Sequence, residues 1–249
     1  MELKFLGIGG SDNQIQGNTS AFFIESRCLF LIDCGENIFE RILKVNLLEN
    51  IDKIYLFITH THSDHVGSIG SLLFHCYFAK NIELNIVVPS NTYHYNDIKD
   101  LIRIYGARNE WYKIIDPKEL ENKFKSFNKI EYMETQHVIP IHSYGILFDT
   151  NNGIVYYSGD TKEINNIKNI IKSNRKIDKI YIDCTTTNLE EPVHYYIGKA
   201  NEEIDYSIRN KFYCMHFNKP KCIDIAKEYG FNVVEIYDNS IKNDKNEIN

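Results

Sequence analysis

The stretch Ile54-Tyr55-Leu56-Phe57-Ile58-Thr59-His60-Thr61-His62-Ser63-Asp64-His65 decides how this chain folds and what its centre contains. Its first half is an unbroken apolar run, the pattern of a strand buried on both faces. The run leads straight into H-x-H-x-D-H. At this chain's composition such a pattern arises by chance about once per thousand chains, so it carries real information. His60 and His62 alternate along an extended segment, and both can face one ion. Asp64 and His65 fall where the chain bends toward a helix and would face a second ion a few ångströms away. Imidazole with carboxylate suits zinc first, with manganese or iron as alternatives. The bland reading is a solvated, His-rich loop, but imidazoles clustered beside a carboxylate are the usual metal-ligand grouping. A single ion on His60 and His62, with Asp64 and His65 in support, is the stronger rival.

Outward from this segment, apolar runs alternate with helical spacings. Strands are expected near Phe5, at Ala21–Ile24 and at Cys28–Asp33, then at Ile82–Val88, and a last one at Val233–Tyr237. Ile38, Phe39, Ile42, Leu43 and Leu47 have helical spacing, as do Ile69, Leu72, Leu73 and Cys76. Helices are also expected over Asp97–Tyr105, Ile164–Ile171 and Asp224–Tyr229, while 106–130 shows no clear pattern. Four strands end at a ligand-type side chain: His60, Asp160 after Gly153–Tyr157, Asp183 after Lys179–Ile182, and His216 after Lys211–Met215. In layered α/β architectures the C-terminal strand ends form the rim where sites assemble. Neighbouring strands lie about 4.8 Å apart, so such residues can converge.

Composition limits the alternatives. With 249 residues, 43% hydrophobic and 25% charged, the chain is in the ordinary globular range. A single domain over 1–238 with a polar tail at 239–249 is expected. The net charge of −6 does not favour a dedicated nucleic-acid binder. No apolar run approaches the ~20 residues of a membrane span. Met1–Gly7 is too short and polar for a signal-peptide core. The six cysteines form no C-x-x-C pair, so reduced, mostly buried thiols and a cytoplasmic location are expected.

H-x-H-x-D-H at the end of an apolar strand resembles the metallo-β-lactamase superfamily. The likeness extends to Gly17-Asn18-Thr19-Ser20, Leu31-Ile32-Asp33-Cys34-Gly35-Glu36, Ser158-Gly159-Asp160-Thr161 and the late His216. It implies an α/β, four-layer αββα sandwich of two facing halves. It also implies a further histidine upstream of Ser158, for which His137 is preferred and His142 is the alternative. The implied ligand set is then His60, His62 and His137 on one ion, Asp64, His65 and His216 on the other, and Asp160 shared. Asp33 and Asp183 are expected to support ligands. His75 in a helix and His94 in a loop are expected to be structural or superficial.

The resemblance is nearest to the ribonuclease Z-like and phosphodiesterase branch. It implies a dinuclear zinc hydrolase in which Asp64 orients the nucleophile and His194 or His142 protonates the departing oxygen. The expected substrate is a small nucleotide phosphodiester, foremost a cyclic mononucleotide. Asp160, the acidic balance and the lack of a Gly/Pro-rich tRNA arm support this choice. Tyr195 and Tyr196 are candidates for stacking a base. The alternatives are ribonuclease Z-like RNA 3′-end processing, thioester or lactam hydrolysis, and a catalytically silent metal-binding or ligand-sensing module. The resemblance also implies a homodimer.

Overall fold

The structure, a computed structural model, describes residues 1–239. Two six-stranded sheets organise it. The first has the order β1 (Lys4–Gly7), β2 (Ser20–Glu25), β3 (Cys28–Ile32), β4 (Lys53–Phe57), β5 (Glu83–Val87) and β6 (Lys113–Ile115). The second has the order β7 (Lys129–Thr135), β8 (Ser143–Thr150), β9 (Gly153–Tyr157), β10 (Ile177–Asp183), β11 (Phe212–Met215) and β12 (Asn232–Val233).

The two sheets share one topology. In each, the first three strands form an antiparallel meander and the remainder run parallel. Parallel neighbours need a crossover, and helices supply each one. In the first half these are α1 (Ile38–Lys44), then α2 (Ser63–Val66) with α3 (Ile69–Phe74), and α4 (Tyr93–Ile104). In the second they are α5 (Asn165–Lys172), α6 (Ile197–Glu203) and α7 (Lys221–Glu228).

Period-two alternation stacks the layers. On β3, Phe30 and Ile32 enter the core between the sheets, while Leu29 and Leu31 turn to the helices. On β4, Phe57 faces the second sheet and Ile54 and Leu56 the helices. Ile38 and Ile42 of α1, Leu72 of α3 and Ile98 of α4 close that outer layer. Aromatic rings fill the inter-sheet space: Phe23 stacks on Phe30 at 4.4 Å, and Phe148 meets Phe57 at 5.6 Å. Ile167, Ile170, Ala200 and Ala226 bring α5, α6 and α7 against the second sheet. The result is the four-layer αββα sandwich. All six cysteines are free and buried. Among the described residues, no helix is long and apolar enough to cross a membrane.

Several elements depart from the sequence-based expectation. The region 106–130 carries the short β6 and the start of β7, and no strand was expected across 129–150. As an edge strand with outward Glu131 and Glu134, β7 lacks an apolar run. The last strand stops at Val233, and Ile236 makes only an isolated bridge to Phe5. α4 starts at Tyr93 rather than Asp97 because the Thr92 hydroxyl accepts the Tyr95 N–H at 3.1 Å. His94 is therefore helical and fully buried, not on a loop, and its Nε2–H donates to the Ile58 carbonyl at 2.8 Å. Of the polar tail, all but Asn239 lies outside the described residues.

Candidate metal centre

Strand ends build the site. β3 stops at Ile32, and Asp33 turns through a left-handed φ of 61°. Its carboxylate then accepts three hydrogen bonds, each 2.8 Å: from Thr59 N–H, from the Thr59 hydroxyl and from His65 Nδ1–H. Asp33 thus ties the exit of β4 to α2. The Thr59 hydroxyl also lies 3.1 Å from His60 Nδ1, so one threonine helps orient the first imidazole. α2 is a single turn that buries Asp64 and His65. Gly35 lies so close to the Asp64 carbonyl that a Cβ would overlap it.

His137 enters from the second sheet, in the turn between β7 and β8. Its Nδ1–H donates to the Val193 carbonyl at 2.7 Å, leaving Nε2 as a lone pair. That nitrogen lies 3.1 Å from His62 Nδ1, which is 2.9 Å from His60 Nε2. Three imidazole nitrogens therefore crowd one point. His142 is elsewhere, its ring stacked on Tyr93 at 5.1 Å.

Asp160 follows β9 and divides its oxygens between two groups. Oδ2 lies 3.8 Å from His60 Nε2 and 3.7 Å from His137 Nε2. Oδ1 lies 3.3 Å from His65 Nε2 and 3.4 Å from His216 Nε2. Asp64 completes the second group, its Oδ2 3.5 Å from His65 Nε2 and 3.3 Å from His216 Nε2. His216 reaches in because the residue after β11 adopts a φ of 61°. In both groups the ligand-type atoms lie within 4.8 Å of one another. A third such group joins Asp160, Asp183, His194 and His216. There Asp183 Oδ2 accepts His194 Nδ1–H at 2.8 Å.

The electrostatics separate the imidazoles. Burial pushes His60 well below the usual imidazole range, and neighbouring His65 adds to this. Burial also lowers His62 and His137. These three stay neutral donors. Burial opposes charge on His65 and His216 too, but Asp160 with its carboxylate neighbours outweighs it and raises both well above that range. The buried carboxylates thus demand positive charge in a dry space. His65 shows how a cation would answer that demand: with Nδ1–H given to Asp33, its buried Nε2 has no hydrogen-bond partner among the described residues. The residues fit a divalent, borderline-soft cation, since they offer imidazole and carboxylate without thiolate.

The residues singled out in the sequence thus meet here: His60, His62, Asp64, His65, His137, Asp160 and His216, with His194 alongside. Asp33 and Asp183 hold imidazoles through their Nδ1 atoms. The stacking expectation for Tyr195 is overturned: the ring is buried at 1% exposure and its hydroxyl donates to Glu203 at 3.1 Å. Tyr196 folds onto Gly198. A pocket of about 280 Å³ instead opens beside His194 and His216, walled by Ser11, Asp12, Thr187, Leu189, Pro192 and Asn218. No sequence signal marked these residues, which come from three separate loops.

Comparison with known proteins follows the same lines. The sequence profile of the family described as "Anti-Pycsar protein Apyc1" matches residues 1–235. Anti-Pycsar protein Apyc1 of Paenibacillus harenae is 24% identical over 243 residues, covering 87% of this chain and 90% of that protein. Ribonuclease Z of Pediococcus pentosaceus is 42% identical over 78 residues, 29% of this chain and 25% of that enzyme. The chain thus spans about a quarter of that relative's length. Among solved structures, the metallo-β-lactamase fold protein YhfI of Bacillus subtilis aligns with a TM-score of 0.68 at 17% identity, covering 95% of this chain and 96% of that one. The short form of human tRNase Z aligns at 0.63 with 17% identity, covering 96% and 98%. These likenesses establish the fold.

Proposed function

The chain belongs to the anti-Pycsar protein Apyc1 family, among the metal-dependent hydrolases of the metallo-β-lactamase superfamily, and from that premise we propose that it uses two Zn2+ ions to hydrolyse a small nucleotide phosphodiester, foremost a cyclic mononucleotide. The match to this family over residues 1–235 supports a phosphodiesterase-type hydrolase. The observation that carries the dinuclear reading is Asp160, whose two oxygens face two different pairs of histidines.

In this reading His60, His62 and His137 would hold one ion and Asp64, His65 and His216 the other, with Asp160 belonging to both groups. When bound, two such cations supply an activated water at neutral pH and neutralise charge developing on the phosphoryl oxygens. The chain's own residues do the rest. Asp33 and the Val193 carbonyl fix the faces that His65 and His137 present, as outer hydrogen bonds do at metal sites. Asp64, buried against His216, orients the nucleophile. His194 gives its Nδ1–H to Asp183, which leaves Nε2 at the pocket wall to protonate the departing oxygen. We also propose a single domain over 1–238 and a cytoplasmic homodimer, for which sedimentation velocity of the purified protein is the check on assembly. Ribonuclease Z-like processing is the second reading, favoured by the 42% identity over 78 residues.

Elemental analysis tests the core of the proposal. Zinc-loaded protein is expected to hold two ions per chain and to turn over bis(p-nitrophenyl) phosphate. A stoichiometry that stays at one removes the dinuclear mechanism.

A further inference from the structure

The peptide units that lead from β4 into His60 lie beyond the last rung of the sheet, and their polar groups are held from several layers. β4 ends at Phe57, which pairs with Val87. The Phe57 carbonyl accepts the Asp33 N–H at 2.8 Å, and the Thr59 N–H returns to the Asp33 carboxylate. The Thr59 carbonyl accepts the Tyr144 N–H of β8 at 3.0 Å. Between these bonds the carbonyl of fully buried Ile58 accepts the Nε2–H of His94 at 2.8 Å. A carbonyl shut off from water needs such a donor. The Tyr132 hydroxyl of β7 borders the same carbonyl but donates to Val87 at 2.5 Å. His94 thus reaches from α4, in the outer layer, to the segment that presents His60 and His62.

An imidazole is a demanding choice for that place. The ring is fully buried, with Tyr144 at 5.1 Å and Tyr132 at 6.4 Å. With the proton on Nε2, the buried Nδ1 has no hydrogen-bond partner among the described residues. An unpaired buried nitrogen costs free energy that an all-carbon ring of similar breadth avoids. Filling the space between α4 and the two tyrosines therefore does not account for a histidine, whereas the bond to Ile58 does. The helix that carries it is itself anchored, since Ile98 and Ile102 pack into the layer beneath. His94 is a fixed post against which the exit of β4 is held.

We propose that His94 is a positioning residue for the first metal group: its hydrogen bond to Ile58 fixes the exit of β4, and with it the place from which His60 and His62 meet His137. It acts through the backbone of Ile58 and Thr59. The proposal rests on the reading of His60, His62 and His137 as metal ligands and is independent of the substrate.

The test is zinc titration against a chromophoric chelator, with circular dichroism and thermal melting of the same samples. His94→Phe keeps a ring and removes the donor. One zinc-binding step is expected to weaken by about tenfold or more while the other stays within about twofold. In a His216→Ala background, which lacks a ligand of the second group, the ion that remains is expected to show the same loss. His94→Gln places an amide N–H near the position of Nε2 and is expected to restore affinity to within about threefold of wild type. Ile98→Ala, buried on the same helix, is the stability control, with a lower melting temperature and unchanged zinc affinity expected. If His94→Phe does not fold, His94→Met takes its place as the donor-free partner of His94→Gln. Wild-type zinc affinity in the donor-free variant would overturn the positioning role. So would an equal loss in His94→Gln or in Ile98→Ala. Wild-type protein that binds no zinc would instead sink the metal-centre reading on which the proposal rests.

Discussion

At the scale of single residues, the decisive pair is His137 and His142, five positions apart on one turn. Only His137 points its free nitrogen at His62, because the Val193 carbonyl takes its other N–H. His142 is spent on stacking with Tyr93. His137→Ala is therefore expected to lose zinc and activity together, with zinc affinity down by about tenfold or more. His142→Ala is expected to keep its zinc. Zinc titration of both variants settles the choice, and the opposite pattern would mean that the first ion is held differently. Asp33 belongs to this scale too. The sequence reading expected it to support a ligand, and the fold uses it to lock Thr59 and His65 together.

At the scale of elements, the two halves place their candidate ligands by one device, a strand that ends at the rim and a tight turn after it. β4 leads into His60 and α2, β9 into Asp160, β10 ends at Asp183, and β11 leads into His216. α2 is the least forgiving of these, since a single turn carries both Asp64 and His65 against Gly35. Gly35→Ala must push the Asp64 carbonyl away, and the turn with it. Its expected outcome is weaker retention of the second ion, by about tenfold, in protein whose far-UV circular dichroism is unchanged. Wild-type zinc affinity in that variant would show that α2 can shift without cost. How legible each element was followed its burial. β3 and β4, buried on both faces, announce themselves as apolar runs. β7, at a sheet edge with charged outward positions, does not.

At the scale of the whole molecule, the net charge of −6 and a pocket lined without lysine or arginine lead to the same expectation. The protein should favour cyclic mononucleotides over precursor tRNA in kcat/KM, and its rate on them should change little with salt. Long RNA binds through many phosphate contacts, and its affinity falls steeply as salt rises. The measurement is a side-by-side comparison of both substrates across a salt series. Far faster cleavage of precursor tRNA, collapsing as salt is raised, would replace the small-substrate reading with RNA processing.

By itself the sequence determined the features that short-range chemistry dictates. Apolar runs and helical spacings outlined most of the sandwich, and four ligand-type residues within six positions marked the heart of the site, because neighbours in the chain cannot be far apart in space. The family resemblance named distant partners for them, and tertiary structure decided how those groups meet. The orientation of His137 rests on a carbonyl at Val193, and the pocket rests on loops around Ser11, Leu189 and Asn218. Tyr195, adjacent to His194, turned inward to Glu203 instead of serving as a platform. These outcomes depend on how two sheets pack face to face, and no local pattern of residues encodes that packing.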